Sequence, residues 1–245
     1  MDEVVVRPFE ARDRQRIRQI CCDTADKGEP VEHFFPDRET FADLLTRYYT
    51  DDEPGSTWVA EQDGKVVGYL TGCLNTRRYW RAMLWRVIPQ TLIKGIFRGA
   101  FFYPQTWKLF CSGAKIFFRG GFRKEVPLGQ YPAHLHVNVT TASRGHHAGE
   151  RLIQRFIEQA KRQGAQGIHL VTREDNLGAR QFFERNGFSE ISRHAGWLRL
   201  REAPLRGIFL DKSFEETAPL LSSRSRPRQE DGGLSQAVVY GKKLR

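Results

Sequence analysis

The sequence predicts a mixed α/β architecture, a central sheet flanked by helices, and three observations carry that expectation. Short β-branched or alternating runs are interleaved with amphipathic segments of helical period. Two of the runs meet at Gln62-Asp63-Gly64-Lys65, the signature of a tight antiparallel hairpin. A later strand–helix–strand succession demands a parallel crossover, so the sheet must contain both pairings.

In order, EVVVRPF (3–9) reads as a strand stopped by Pro8. The next segment, 10–25, is a helix with Ile17, Ile20 and Cys21 inward and Asp13 near its start, where a carboxylate suits the free N–H groups. Residues 38–50 form a second helix with Phe41, Leu44, Leu45 and Tyr48 on one stripe. The hairpin occupies 56–74, with Gly64 accepting the positive φ of a type I′ turn. After an unusual segment, AHLHVNVTT (133–141) is a strand in which Leu135, Val137 and Val139 alternate with His134, His136 and Asn138. A helix runs from about Gly149 to Arg162, with Ile153, Phe156, Ile157 and Ala160 inward and Gly164 as its stop. Then come a strand at 167–172, a helix capped by Asn176, a strand at 189–200 and a closing strand at 236–244. Residues 211–236 are polar and rich in Pro, Gly and Ser, and are expected to be a mobile loop within a single domain spanning 1–245.

The chain carries 39 basic and 29 acidic residues, a formal charge of +10, and the excess is local. Between 76 and 128 stand eleven Lys or Arg and one acid, Glu125, together with three of the five tryptophans. This segment reads as a basic, aromatic helical insert between the third and fourth strands. Cys21, Cys22, Cys73 and Cys111 form no C-x-x-C pair, which argues against a zinc module or a disulfide framework and fits a reducing, cytoplasmic setting. The N-terminus shows no secretory pattern and no run of 18 uncharged apolar residues exists, so neither export nor a spanning helix is expected.

TTASRGHHAGERLIQRF (140–156) places a glycine-containing turn between a strand and a helix start. Unpartnered N–H groups and the helix dipole favour an anion there, and Arg144 adds a charge able to grip a phosphate through more than one N–H. Neither a Walker loop nor a G-x-G-x-x-G fingerprint is present. His146 and His147 are a poor metal pair, because adjacent residues at a helix start diverge and no Cys or carboxylate stands at ligand spacing.

Arg144-Gly145-His146-His147-Ala148-Gly149 resembles the Q/R-x-x-G-x-G/A motif of the GNAT N-acetyltransferases. The hairpin, LVTREDNLGARQFFERNGF (170–188), the opening strand and helix, and the closing VVYGKKL are similar to that family's other segments, in the family's order. Together they cover the chain except for the insert and the late loop. YPAHLHVNV (131–139) is further similar to the acetyltransferase-like domain of O-GlcNAc hydrolases and their stand-alone bacterial relatives, a group not all of whose members are thought to be competent enzymes.

The resemblance implies a GNAT fold and acetyl-CoA as cosubstrate, with no metal. It implies that the backbone of Val137 and Val139 pairs with the pantetheine arm, and that residues 144 to 149 (Arg144, Gly145, His146, His147, Ala148, Gly149) hold the pyrophosphate. Asn176, Ala179 and Phe183 would line the same wall. Two positions depart from the pattern: His147 stands where Gly is usual, and Phe183 where a tyrosine general acid is usual. The chemistry implied is direct attack of an amine on the thioester, with the N–H of Val139 polarising the carbonyl. His134 and His136 are the candidate bases, projecting from one strand face with ordinary pKa values near 6.5.

The partner expected is a small-molecule or peptide amine. The basic insert allows a cationic wall for an anionic acceptor, a helical layer packed on the core, or contact with an anionic surface or membrane through 76–128; nucleic acid is not expected. A homodimer is the default association for a soluble enzyme. Two alternatives to an N-acetyltransferase stand beside it: a catalytically impaired pseudo-acetyltransferase that binds coenzyme A or a partner, and a peripheral membrane protein acting through the insert.

Overall fold

Asp63 and Gly64 adopt φ of 51° and 71°, the pair of positive values a type I′ turn requires, and join β2 (Thr57–Gln62) to β3 (Lys65–Cys73). The computed structural model describes residues 3–25, 28–33, 35–99, 126–197 and 235–244. The remaining strands are β1 (Val5–Pro8), β4 (Ala133–Val139), β5 (Gly167–Arg173), β6 (Ser189–Trp197) and β7 (Ser235–Lys243). They form one mixed sheet in the order β1-β2-β3-β4-β5-β7-β6. Among the described strands only β4 and β5 run parallel, as the strand–helix–strand pattern predicted.

Two helices pack on one face, α1 (Arg14–Asp23) and α2 (Arg38–Asp51). Ile17, Ile20 and Cys21 bury against Val59, Val66 and Tyr69 of the hairpin, as their spacing predicted. The α2 stripe differs from the expected one. Leu45 is exposed, while Tyr49 and Asp43 are buried. Hydrogen bonding outweighs the leucine periodicity here: Asp43 is drawn to Arg18 at 2.5 Å and the Tyr49 hydroxyl to His134 at 2.8 Å.

The opposite face carries the main core. It is built from Leu70, Leu135, Ile168, Leu170, Val238 and Tyr240 of the sheet, and from Leu152, Ile153, Phe156 and Ala160 of a later helix (Ala148–Arg162). Phe183 and Phe188, from and just after Leu177–Arg185, join the same cluster.

Between β3 and β4 the described chain is one helical run: α3 (Thr76–Ala82), a wide π turn (Met83–Val87) and α4 (Ile88–Phe97). The last two helices are therefore α5 (Ala148–Arg162) and α6 (Leu177–Arg185). Pro89 accounts for the π turn. It has no N–H for the carbonyl four residues back, and its ring would strike that carbonyl in regular α geometry. The expected insert is described only as far as Gly99 and again from Val126. The expected loop at 211–236 lies outside the described residues apart from Ser235 and Gln236, which belong to β7.

Gly72 of β3 is required by α5. A Cβ built on it would lie 2.1 Å from the ring of Phe156, which is fully buried and has no room to retreat. Gly72→Ala is expected to cost about 1–3 kcal/mol, read as a lower urea midpoint at unchanged slope.

Candidate active site

β4 and β5 pair at only two positions, Ala133 with Ile168 and His134 with His169. Beyond them β4 continues to pair with β3, through Val139 opposite Gly68. The N–H of Thr140 donates to Val67 at 2.9 Å, which sets the alternation. Asn138, His136 and His134 turn their backbone groups toward β3, so Ala133 and Leu135 make the short ladder to β5 and the backbone groups of Val137 and Val139 face the gap that β5 has left. A parted parallel pair thus presents an unpaired edge inside the sheet, suited to an extended ligand.

The start of α5 lies at the end of that edge. A single 3-10 turn (Thr141–Ser143) leads into Arg144, then Gly145 at φ 86° and His147 at φ 57°. The left-handed value at His147 explains why glycine suits this position, since an L side chain is strained there by about 1–2 kcal/mol. The His147 ring turns outward, and its Nδ1 lies 2.5 Å from Glu150 Oε2. It therefore caps nothing. Asp37, Asn75 and Asn176 each cap a helix with a side-chain oxygen, whereas α5 begins without one. Its first N–H groups, at Ala148, Gly149 and Glu150, have no capping side chain among the described residues, an arrangement suited to an anion. Gly149 is needed for a second reason: a Cβ there would come within 3.0 Å of Phe182, where α5 meets α6. Arg144 is exposed, and its guanidinium rests against Gly28 of the α1–α2 connection, where a Cβ would lie 2.6 Å from it.

His134 and His136 do project from the same face, toward α2, but into different surroundings. His134 is buried. The Thr76 hydroxyl donates to Pro132 O at 2.8 Å and so accepts from His134 Nδ1 at 2.7 Å; His134 Nε2 then accepts from the Tyr49 hydroxyl at 2.8 Å. Burial, then His136 and His169, hold this imidazole well below its ordinary pKa. His136 opens onto solvent, although protein crowds its other sides, with Tyr49 edge-on at 5.8 Å. That crowding, followed by His169, lowers its pKa to about 4. Across the strand from His136, the hydroxyl of Thr71 is buried and has no hydrogen-bond partner among the described residues.

Asn176 caps α6, accepting from Ala179 N at 3.2 Å, and Ala179 is half-buried against the core. Phe183 is buried between Phe182, Phe188 and Tyr240. Tyr49, Thr76 and Thr71 were not singled out from the sequence. The adjacent Tyr48-Tyr49 pair in the amphipathic α2 was the available signal. Among the described residues no group of three His, Cys, Asp or Glu side chains is placed to hold a metal ion.

His134 and His169 are bases kept neutral by burial, with folded pKa values below the 6.5 of an unfolded chain. Above that pH neither state is protonated. Below it the unfolded chain gains protons that the fold excludes, so stability falls as pH drops. Urea midpoints are expected to be flat above pH 7 and to decline below 6.5 by up to about 1.4 kcal/mol per unit for each histidine. His134→Gln should make that decline shallower.

Residues 120–188, which include β4, α5, β5 and α6, match the acetyltransferase (GNAT) family. An uncharacterized N-acetyltransferase of Methanocaldococcus jannaschii is 40% identical over 57 residues, 23% of this chain and 25% of that protein, so the match spans about a quarter of the relative's length. Two solved structures share the fold across the whole of this chain. One is described as SsHAT (TM-score 0.67, 21% identity, all of that chain) and the other as yncA of Salmonella typhimurium with its cofactor acetyl-CoA (0.52, 13%, 95% of that chain). The parted β4–β5 pair and the uncapped start of α5 thus lie inside the segment that is similar to the acetyltransferase (GNAT) family, on a fold shared with these solved structures.

Proposed function

We propose that the protein is an acetyl-CoA-dependent N-acetyltransferase acting on a small-molecule or peptide amine. The observation that carries this reading is the continuity between the backbone of Val137 and Val139, which meets no strand on the β5 side among the described residues, and the uncapped N–H groups at Ala148 to Glu150. Strand-like pairing suits a pantetheine arm, and the helix start suits a pyrophosphate. Arg144 is within a side-chain swing of that anion. Gly145, His146 and His147 shape the loop around it, while Asn176 and Ala179 border the far wall and Phe183 backs it from the core. Bound there, acetyl-CoA supplies the activated acetyl thioester.

The acceptor enters from the α2 face. His136 is neutral at physiological pH, so its lone pair is free; with its pKa lowered to about 4 it is a weak base, and it serves to relay the proton that blocks attack from the ammonium to water, not to retain it. The unpartnered Thr71 hydroxyl beside it is suited to hold a water or the amine itself. The Val139 N–H, facing the gap, is directed at the position of the thioester oxygen. As the new C–N bond forms, the C–S bond breaks and the thiolate departs. A thiolate is a good leaving group, so an apolar residue at 183 is compatible with turnover. His134 has both ring nitrogens occupied, and its role is to fix β4 against α2 and α3.

Calorimetry with acetyl-CoA decides the first half of the proposal. Micromolar binding is expected, weakened about tenfold in Arg144→Ala by loss of one charge-assisted contact. No heat at millimolar cofactor would sink the reading. Thiol release with amino sugars, polyamines and peptide lysines tests the second half. His136→Gln should slow release about a hundredfold with acetyl-CoA affinity unchanged. Cofactor binding with no release from any amine would instead favour a coenzyme A-binding module.

A further inference from the structure

We infer that the outer surface of the α3–α4 run is a docking face for an anionic lipid bilayer. The run packs inward through Met83, Val87, Thr91 and Gly95, a row of spacing four. The row two residues on points the other way: Arg77, Arg81, Trp85, Ile93 and Phe97. Trp85 is 79% exposed, Ile93 54% and Phe97 87%. Isolated exposed apolar residues are ordinary, but a row of them along one helix marks an interaction surface.

Charge selects the partner. Residues 76–99 contain six Lys or Arg and no acid. Three of the six are turned back onto α2, Arg86 toward Asp52, Lys94 toward Asp43 at 3.8 Å, and Arg98 toward Asp37 at 3.7 Å. Those pairs hold the helix down. Arg77, Arg78 and Arg81 are exposed and meet no carboxylate among the described residues. The outward face is thus cationic at its N-terminal end and apolar and aromatic toward its C-terminal end. A nucleic acid would use the three arginines but would gain nothing from Ile93 and Phe97. An anionic bilayer uses both: headgroups meet the guanidinium groups, and the aromatic and aliphatic side chains enter the interfacial layer. The attachment is peripheral, since no described helix is long and apolar enough to cross a membrane. The sequence keeps the same basic, aromatic composition to residue 124.

The test is sedimentation of the full chain with vesicles of phosphatidylcholine alone and of equal parts phosphatidylcholine and phosphatidylglycerol. Tryptophan emission is followed in parallel. The chain should pellet with the anionic vesicles alone, with a blue shift, and high salt should release it. Trp85→Ala with Phe97→Ala should abolish the shift and most of the binding. Replacing Arg77, Arg78 and Arg81 by Gln should weaken binding about fivefold per residue, roughly a hundredfold together. Unchanged acetyl-CoA-dependent thermal stabilisation of both variants shows that the fold is intact; if wild type binds no acetyl-CoA, unfolding temperature alone serves. Several outcomes overturn the inference. Protein left in the supernatant with anionic vesicles is one, and equal binding to both vesicle types is another. Persistence of binding in the Trp85/Phe97 variant moves the contact elsewhere. Lipid-free self-association lost in that variant, or capture of a DNA oligonucleotide in place of vesicles, assigns the face to a second copy or to nucleic acid.

Discussion

The parallel ladder between β4 and β5 lasts for two residue pairs, and the rest of the molecule is arranged around that brevity. Contacts at its base clamp it. The Tyr131 ring lies over Gly167 of β5 and Gly241 of β7, where side chains would collide with it at 2.8 and 2.7 Å. Its carbonyl meets His169 Nδ1 at 2.9 Å, and Thr76 ties His134 to the chain just before β4. Past this clamp the main core continues on one face and α1 and α2 on the other. The backbone edge of β4 is left facing a gap without exposing the hydrophobic clusters. Had the ladder closed through Val139, every backbone group would be satisfied and no groove would exist.

Much of this arrangement is legible in the sequence, because it rests on local chemistry. Asp63-Gly64 specifies its own turn, Asn176 its own cap, and the alternation of 133–139 its own two faces. The stripe on α2 was misread because helical period registers leucines but not partners. Leu45 and Tyr49 both follow the period, four residues apart, yet Leu45 is exposed and Tyr49 is buried with a hydrogen bond to a residue 85 positions away. The two strand histidines look alike in sequence for the same reason. Only the arrival of Tyr49 and Thr76 makes one of them structural and leaves the other open.

At the start of α5 a local rule is set aside. Three of the described helices are capped by an Asp or Asn side chain, whereas α5 carries His147 in a left-handed conformation with its ring turned to Glu150. That contact also draws the Glu150 carboxylate to one side of the helix entrance, so a negative side chain in the first turn need not oppose an incoming anion.

The π turn at Met83–Val87 has a consequence for inheritance and engineering. A π turn amounts to one residue added to an α-helix. It sets the angular phase of everything downstream: with it in place, Met83 and Val87 before the proline and Thr91 and Gly95 after it fall on the same side. Removing a single residue there would restore a regular helix and rotate α4 by roughly 100° about its axis. Phe97 would then swing toward α2, and the small Gly95 would leave the contact it fits. Insertions and deletions in this stretch are thus read by the molecule as rotations, and lengths of sequence here are far less exchangeable than their compositions.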